Sequence, residues 1–168
     1  GFSCLPVDIG GAASGAVAKD HAVLYPGSSV GVAVAYGDFS ISGVGTVTAT
    51  QGKKVVAFGH SFLHRGNVNF FMTDADVYGT IAGVSSGMKI AGIGSVIGRI
   101  NQDRETGIAG ILGEYPSAVP IRVHVHDATL GRDDTYTSTI AYDEDLLPTL
   151  AATIAYGAIG KTSDTVSA

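Results

Sequence analysis

Apolar and polar positions alternate through most of the chain. In AVPIRVHVHD (118–127), Val119, Ile121, Val123 and Val125 fall on one side and Arg122, His124 and His126 on the other. A period of two marks a half-buried strand, because successive Cβ atoms point to opposite faces of a sheet. Upstream, SVGVAVAYGDFSISGVGTVTAT alternates small and β-branched residues, with breaks at Gly37-Asp38 and Gly43, and predicts two or three strands. QGKK after Thr50 predicts a hairpin turn, and KVVAFGH the next strand. KIAGIGSVIGRINQD, GIAGILG and STIAYD also read as strands. FFMTDADVYGTIAGV, beyond a loop at 63–69, fits either a strand or a short helix.

The end of the chain changes period. DEDLLPTLAATIAYGAIG spaces its apolar residues as a helix does, with Asp143 as N-cap, Pro148 near the first turn and Gly160 as a stop. The expected architecture is a single domain over 1–168: an extended arm or loop over 1–27, a β body over 28–142 and one helix over 143–160. Pro26-Gly27 closes the arm with a turn signal. The chain carries no clear internal repeat and no linker long enough for a second domain.

Composition sharpens this picture. The 24 glycines follow no Gly-X-Y period, which excludes collagen and favours a β protein rich in turns and bulges. Hydrophobic residues make up 45% and charged residues 15%, a globular balance. With a net charge of -5 and no basic cluster, nucleic acid is not an expected partner. Cys4 is the sole cysteine, so neither an internal disulfide nor a cysteine-based zinc site is available, and an inert thiol is the favoured reading. No apolar run reaches the ~18 residues of a membrane span. The greasiest stretch, 81–100, is interrupted by Lys89, Arg99 and several glycines. The first residue is Gly1 rather than Met and no leader is visible, so the chain reads as a fragment or processed product of a longer protein.

The chemistry centres on VVAFGHSFLHRG (55–66), where an apolar run ends in Phe-Gly-His. His60 fits a surface histidine on a hairpin and equally a general base displayed at a strand end, since a neutral imidazole takes a hydroxyl proton near physiological pH. GVGTVTATQGKKVVAFGHSF resembles the strand–hairpin–strand by which chymotrypsin-like barrels deliver their base. More specifically, PGSSVGVAVAYGDFSISGVGTVTATQGKKVVAFGHSF resembles the approach to the Phe-Gly-His-Pro-Phe motif of the SpoIVB-type serine peptidase family, with Ser61 where proline is usual. GSVIGRINQDRETGIAGILGEYPSAVPIRVHV resembles that family's Gln-Asp-Arg-x-x-Gly-Ile-x-Gly-x-Leu-Gly block, and the opening GFS a Ser-Gly-Phe-Ser element. The likeness covers residues 26–126 well and the flanks loosely.

The resemblance implies a mainly β, chymotrypsin-like barrel-type domain in a serine endopeptidase that acts on proteins or peptides. His60 would be the base and Asp103 the acid that orients it, with no cofactor and no metal. Arg104 and Gly107 would hold the shape of the loop. An Asp-Arg-Glu surface turn, or an Asp103–Arg104 ion pair, remains the plainer reading of that stretch. The family location implied is extracytoplasmic or in the cell envelope. The chain departs from the family at the nucleophile, which there sits in a Gly-Met-Ser-Gly-Ser-Pro-like turn that exposes the hydroxyl. The nearest strings, AASGAV around Ser14 and VSSGMK around Ser86, lack the flanking glycine and proline. The nucleophile would then lie outside this chain, in another segment of the same protein or in another copy, and the chain alone would be inactive. The alternative is a non-catalytic β domain for partner binding or self-assembly.

Other candidates have plainer readings. His124 and His126 alternate as metal ligands can, with Asp127, Asp133 and Asp134 nearby in what reads as a short Asp-rich turn, but a solvated strand face suits them better. GIGSVIG leads into strand-like sequence rather than a helix, so turn glycines are favoured over a dinucleotide loop. His64 and Arg65 read as a polar loop, and His21 carries no signal.

Overall fold

The computed structural model describes residues 23–81 and 88–163. It is mainly β with one helix: β1 (Ser29–Gly37), β2 (Ile41–Gln51), β3 (Lys54–Ala57), β4 (Gly66–Ile81), β5 (Met88–Arg104), β6 (Gly107–Leu112), β7 (Ala118–Asp127), β8 (Arg132–Ala141) and α1 (Leu147–Ser163). Every strand pairing is antiparallel. The strand order is β2-β3-β6-β5-β4-β1-β8-β7, and β2 also pairs with β1, so the first six strands form a ring of pairings.

β1 joins that ring to the β8–β7 extension. On one edge it pairs with β2; on the other, Gly31–Ala33 meet β4 while Ala35–Gly37 meet β8. Val30, Val32, Ala33, Val34 and Ala35 are each at most 1% exposed. A strand covered on both faces has no wet side to encode, which is why it reads as an apolar run. Around it the core gathers Val47, Val55, Phe70, Met72, Ile100, Ile108 and Ile140. β7 shows the clean alternation its sequence predicts: Val119, Ile121, Val123 and Val125 are half-buried, while Arg122, His124 and His126 are exposed.

α1 packs on β7 and β8 through a stripe of Leu150, Ile154, Ala158 and Thr162. It begins at Leu147 rather than 143, because Asp143 caps the turn before the helix. The Asp143 carboxylate accepts the amides of Asp145 (3.1 Å) and Leu146 (3.0 Å), and its carbonyl accepts that of Leu147 (2.9 Å). Gly160 does not stop the helix. Thr162 is fully buried and its carbonyl accepts Arg132 Nη1 at 2.9 Å, so packing carries the helix past the glycine.

Two further expectations are corrected and one ambiguity is resolved. β2 runs unbroken through Gly43, where a Cβ would come within 3.1 Å of the Phe62 ring, so this glycine makes room for a ring rather than a turn. Residues 70–81, ambiguous in sequence, are strand; Phe70 to Thr73 are consecutively buried, and such a run has no period to read. Asp133 and Asp134 lie inside β8, which pairs with β7 from Arg132 onward, rather than in a turn. The predicted break at Gly37-Asp38 and the Gly52-Lys53 hairpin turn both occur, the latter with Gly52 at φ +58.

Candidate catalytic loop

β3 ends at Ala57, and residues 58–65 lead to β4. The backbone leaves the strand through two left-handed residues, Phe58 (φ +76) and Gly59 (φ +72). For a non-glycine residue that conformation costs roughly 1–2 kcal/mol. Ring packing offsets it: the Phe58 ring lies over Gly45 of β2, where a Cβ would overlap ring carbons, and its centroid is 5.6 Å from that of His60. From the other side, the β5–β6 turn closes on the same backbone. A Cβ on Gly107 (φ +151) would come 2.9 Å from the Ala57 carbonyl oxygen.

The result is an exposed His60 on a constrained main chain. Its Nδ1 lies 2.7 Å from the carbonyl oxygen of Ser61. A carbonyl only accepts, so Nδ1 carries the proton and the neutral ring keeps its lone pair on Nε2. Nε2 has no partner among the described residues.

Asp103, at the end of β5, is 1% exposed. Its Oδ1 accepts the amide of Phe62 at 2.7 Å, and its Oδ2 those of Leu63 at 2.7 Å and Arg65 at 3.3 Å. The carboxylate therefore binds the loop's backbone, and the Ser61 carbonyl, not a carboxylate, engages the His60 ring. Asp103 is neither a surface turn residue nor paired to Arg104, whose guanidinium reaches Gln102 Oε1 (2.9 Å) and Asn67 Oδ1 (2.6 Å).

Two more loop residues are tied down. Arg65 Nη2 bridges Asp143 Oδ1 (3.2 Å) and Asp145 Oδ2 (2.9 Å), linking the loop to the turn that feeds α1. The Ser61 hydroxyl lies 2.8 Å from both ring nitrogens of His64, itself left-handed at φ +57. Ser61 is only 7% exposed, so its hydroxyl is closed to a substrate. The part played by the Ser61 carbonyl has no signal in the sequence, because side-chain identity does not encode a backbone acceptor. Arg65 reads as loop in the sequence because its partner Asp143 stands 78 residues further along the chain.

The remaining candidates stand apart from the loop. His124 Nε2 is 2.6 Å from Asp133 Oδ1, and His126 Nδ1 is 4.0 Å from Asp133 Oδ2, all on a well-exposed face. Among the described residues no group of three or more ligating side chains is arranged to hold a metal ion. The glycines of GIGSVIG lie within β5 rather than in turns. Gly92 faces the Tyr78 ring, Gly94 the Asp74 carboxylate and Gly98 the Ile111 backbone. An open groove along β1, β8 and β7, lined by Tyr36, Pro120, Arg122 and Thr137, includes no residue of the His60 loop. Cys4, Ser14, His21 and Ser86 lie outside the described residues. No described helix is long and apolar enough to cross a membrane.

No family model, curated protein or solved structure matches the chain.

Proposed function

We propose that this chain is the histidine-bearing part of a SpoIVB-type serine endopeptidase, with the serine nucleophile supplied from outside it. The observation that carries the reading is the state of His60: exposed, with Nδ1–H held by a backbone carbonyl and Nε2 without a partner among the described residues. A serine hydroxyl docked at Nε2 gives up its proton to the ring as its oxygen attacks the scissile carbonyl. The imidazolium then protonates the leaving amine, and water repeats the sequence to release the acyl group. The chemistry uses hydroxyl, imidazole, peptide and water, without metal or cofactor.

The ring of six paired strands supports a chymotrypsin-like barrel, with His60 at the end of its third strand. The register supports a shared rim: Asp103 pairs with Gly66 and Ile108, and Ile108 with Ala57, three residues before His60. Substrates in this reading are proteins or peptides, the docking partner is the serine-bearing segment of the same protein or another copy, and the location is extracytoplasmic or in the cell envelope. The test is His60→Ala in the full-length protein, with peptide cleavage as readout. Loss of cleavage in a folded variant supports the reading; retained cleavage overturns it.

One observation favours the alternative, a non-catalytic β domain for partner binding or self-assembly. β7 stands at the end of the strand order and, among the described residues, pairs only with β8, which leaves its ten-residue outer edge without a described partner. An unpaired edge is a template for another strand. On that reading, His60→Ala leaves binding or assembly unchanged.

A further inference from the structure

We infer that Asp103 is a positioning residue that acts on His60 through a single peptide unit. The inference rests on reading His60 as the base. The Ser61 carbonyl that accepts Nδ1–H and the Phe62 N–H bound by Asp103 Oδ1 are the two ends of one amide. Both hydrogen bonds are 2.7 Å long. No described peptide bond is cis, and in a trans amide N–H and C=O point in opposite directions. The carboxylate and the imidazole therefore sit at opposite ends of the peptide dipole, in the order Asp103 Oδ1, H–N of Phe62, C=O of Ser61, H–Nδ1 of His60.

Two consequences follow from that order. Hydrogen bonds in series polarise one another, by about 10–30% per bond, so a carboxylate on the N–H makes the carbonyl a better acceptor. The Nδ1–H tautomer is thereby favoured and Nε2 kept as the base. The second consequence is geometric. Oδ2 holds the next amides, of Leu63 and Arg65, so the peptide plane cannot rotate without breaking charge-assisted bonds to a carboxylate that is 1% exposed. A buried carboxylate stripped of its donors is strongly disfavoured, and this makes the loop stiff.

The experiment is nitrogen-15 NMR of the His60 ring in this chain, under conditions where the ring is neutral. Wild type should show Nδ1 protonated; a dominant Nε2–H tautomer in wild type overturns the relay without any variant. In Asp103→Asn the Nδ1–H preference should weaken, with the Nε2–H tautomer gaining population, because the Phe62 amide then meets a neutral acceptor. Arg65→Ala cuts the loop's other anchor without touching the relay and should leave the tautomer unchanged. Should Asp103→Asn fail to fold, the wild-type tautomer and slow exchange of the Phe62 and Leu63 amides still decide the matter, since fast exchange would overturn the clamp. In the full-length protein, Asp103→Asn should lower kcat with KM unchanged. The two readings fail separately. A tautomer ratio left unchanged by Asp103→Asn removes the relay alone, and cleavage that survives His60→Ala removes the catalytic role alone.

Discussion

The ring of Phe58 occupies the space that a side chain on Gly45 would need. Phe58 also donates its amide to the Thr46 carbonyl at 2.9 Å, so β2 holds both the ring and the backbone at the point where the chain turns toward His60. Gly45→Val should overpack this site and destabilise the fold by about 1–3 kcal/mol. Gly52→Ala supplies the contrast: its Cβ would meet nothing within 4 Å, and only the left-handed φ of +58 is strained. Urea denaturation should rank Gly45→Val well below Gly52→Ala, and equal midpoints would show that the ring has room to move.

His60→Ala should leave stability within about 0.5 kcal/mol of wild type, because an exposed side chain carries little packing. A collapse of the melting temperature would mean that the ring holds the loop together rather than serving as a base.

This chain alone should not hydrolyse a generic peptide ester. The catalytic groups of a serine peptidase act as a unit, and a base without its nucleophile retains little. Turnover abolished by a serine-directed phosphonate would place the nucleophile inside the chain, with Ser86 and Ser14 the first to mutate.

Gly160→Ala should stabilise the protein by about 0.5–1 kcal/mol. Gly160 lies within α1, is exposed, and has nothing within 4 Å of a new Cβ, so the gain is helix propensity alone. Gly157→Ala should gain less or lose, since its Cβ would come 3.0 Å from the Phe39 ring. Thermal melts of the two variants check the order.

Asp127 gives the fold an acid-sensitive joint between the β7–β8 turn and the end of α1. The Leu130 amide is the main cause holding its carboxyl below the usual aspartate range, against an opposing effect of burial, with help from the Ser163 hydroxyl, the Thr129 amide and Arg132. A lowered native pKa contributes stability that is present above the unfolded-state value and lost as pH falls through the native one. The melting-temperature gap between wild type and Asp127→Asn should therefore be full at neutral pH and close on strong acidification. A gap independent of pH would show that the charge of Asp127 contributes nothing.

Much of the fold was legible because its physical cause is local. Alternation in 118–127 reports one wet and one dry face, and β7 has both. Helical spacing after residue 143 reports one apolar stripe, and Leu150, Ile154 and Ala158 form it. The limits of that reading were local too. Gly43 and Gly160 carry the residue type of a break, but a ring packed on one and a buried turn beyond the other override propensity.

The candidate site divides differently. By itself the sequence determined that an apolar strand ends in Phe58-Gly59-His60 and that Asp103 stands before a glycine turn, because strand period and turn chemistry are properties of neighbouring residues. Only the tertiary structure decided that Asp103 is buried under the loop, and that the Ser61–Phe62 peptide lies between its carboxylate and the His60 ring. The reason is that these contacts are made by backbone groups, which every residue carries alike. Which of them meet depends on the register of β3, β4, β5 and β6, set by the packing of the whole core.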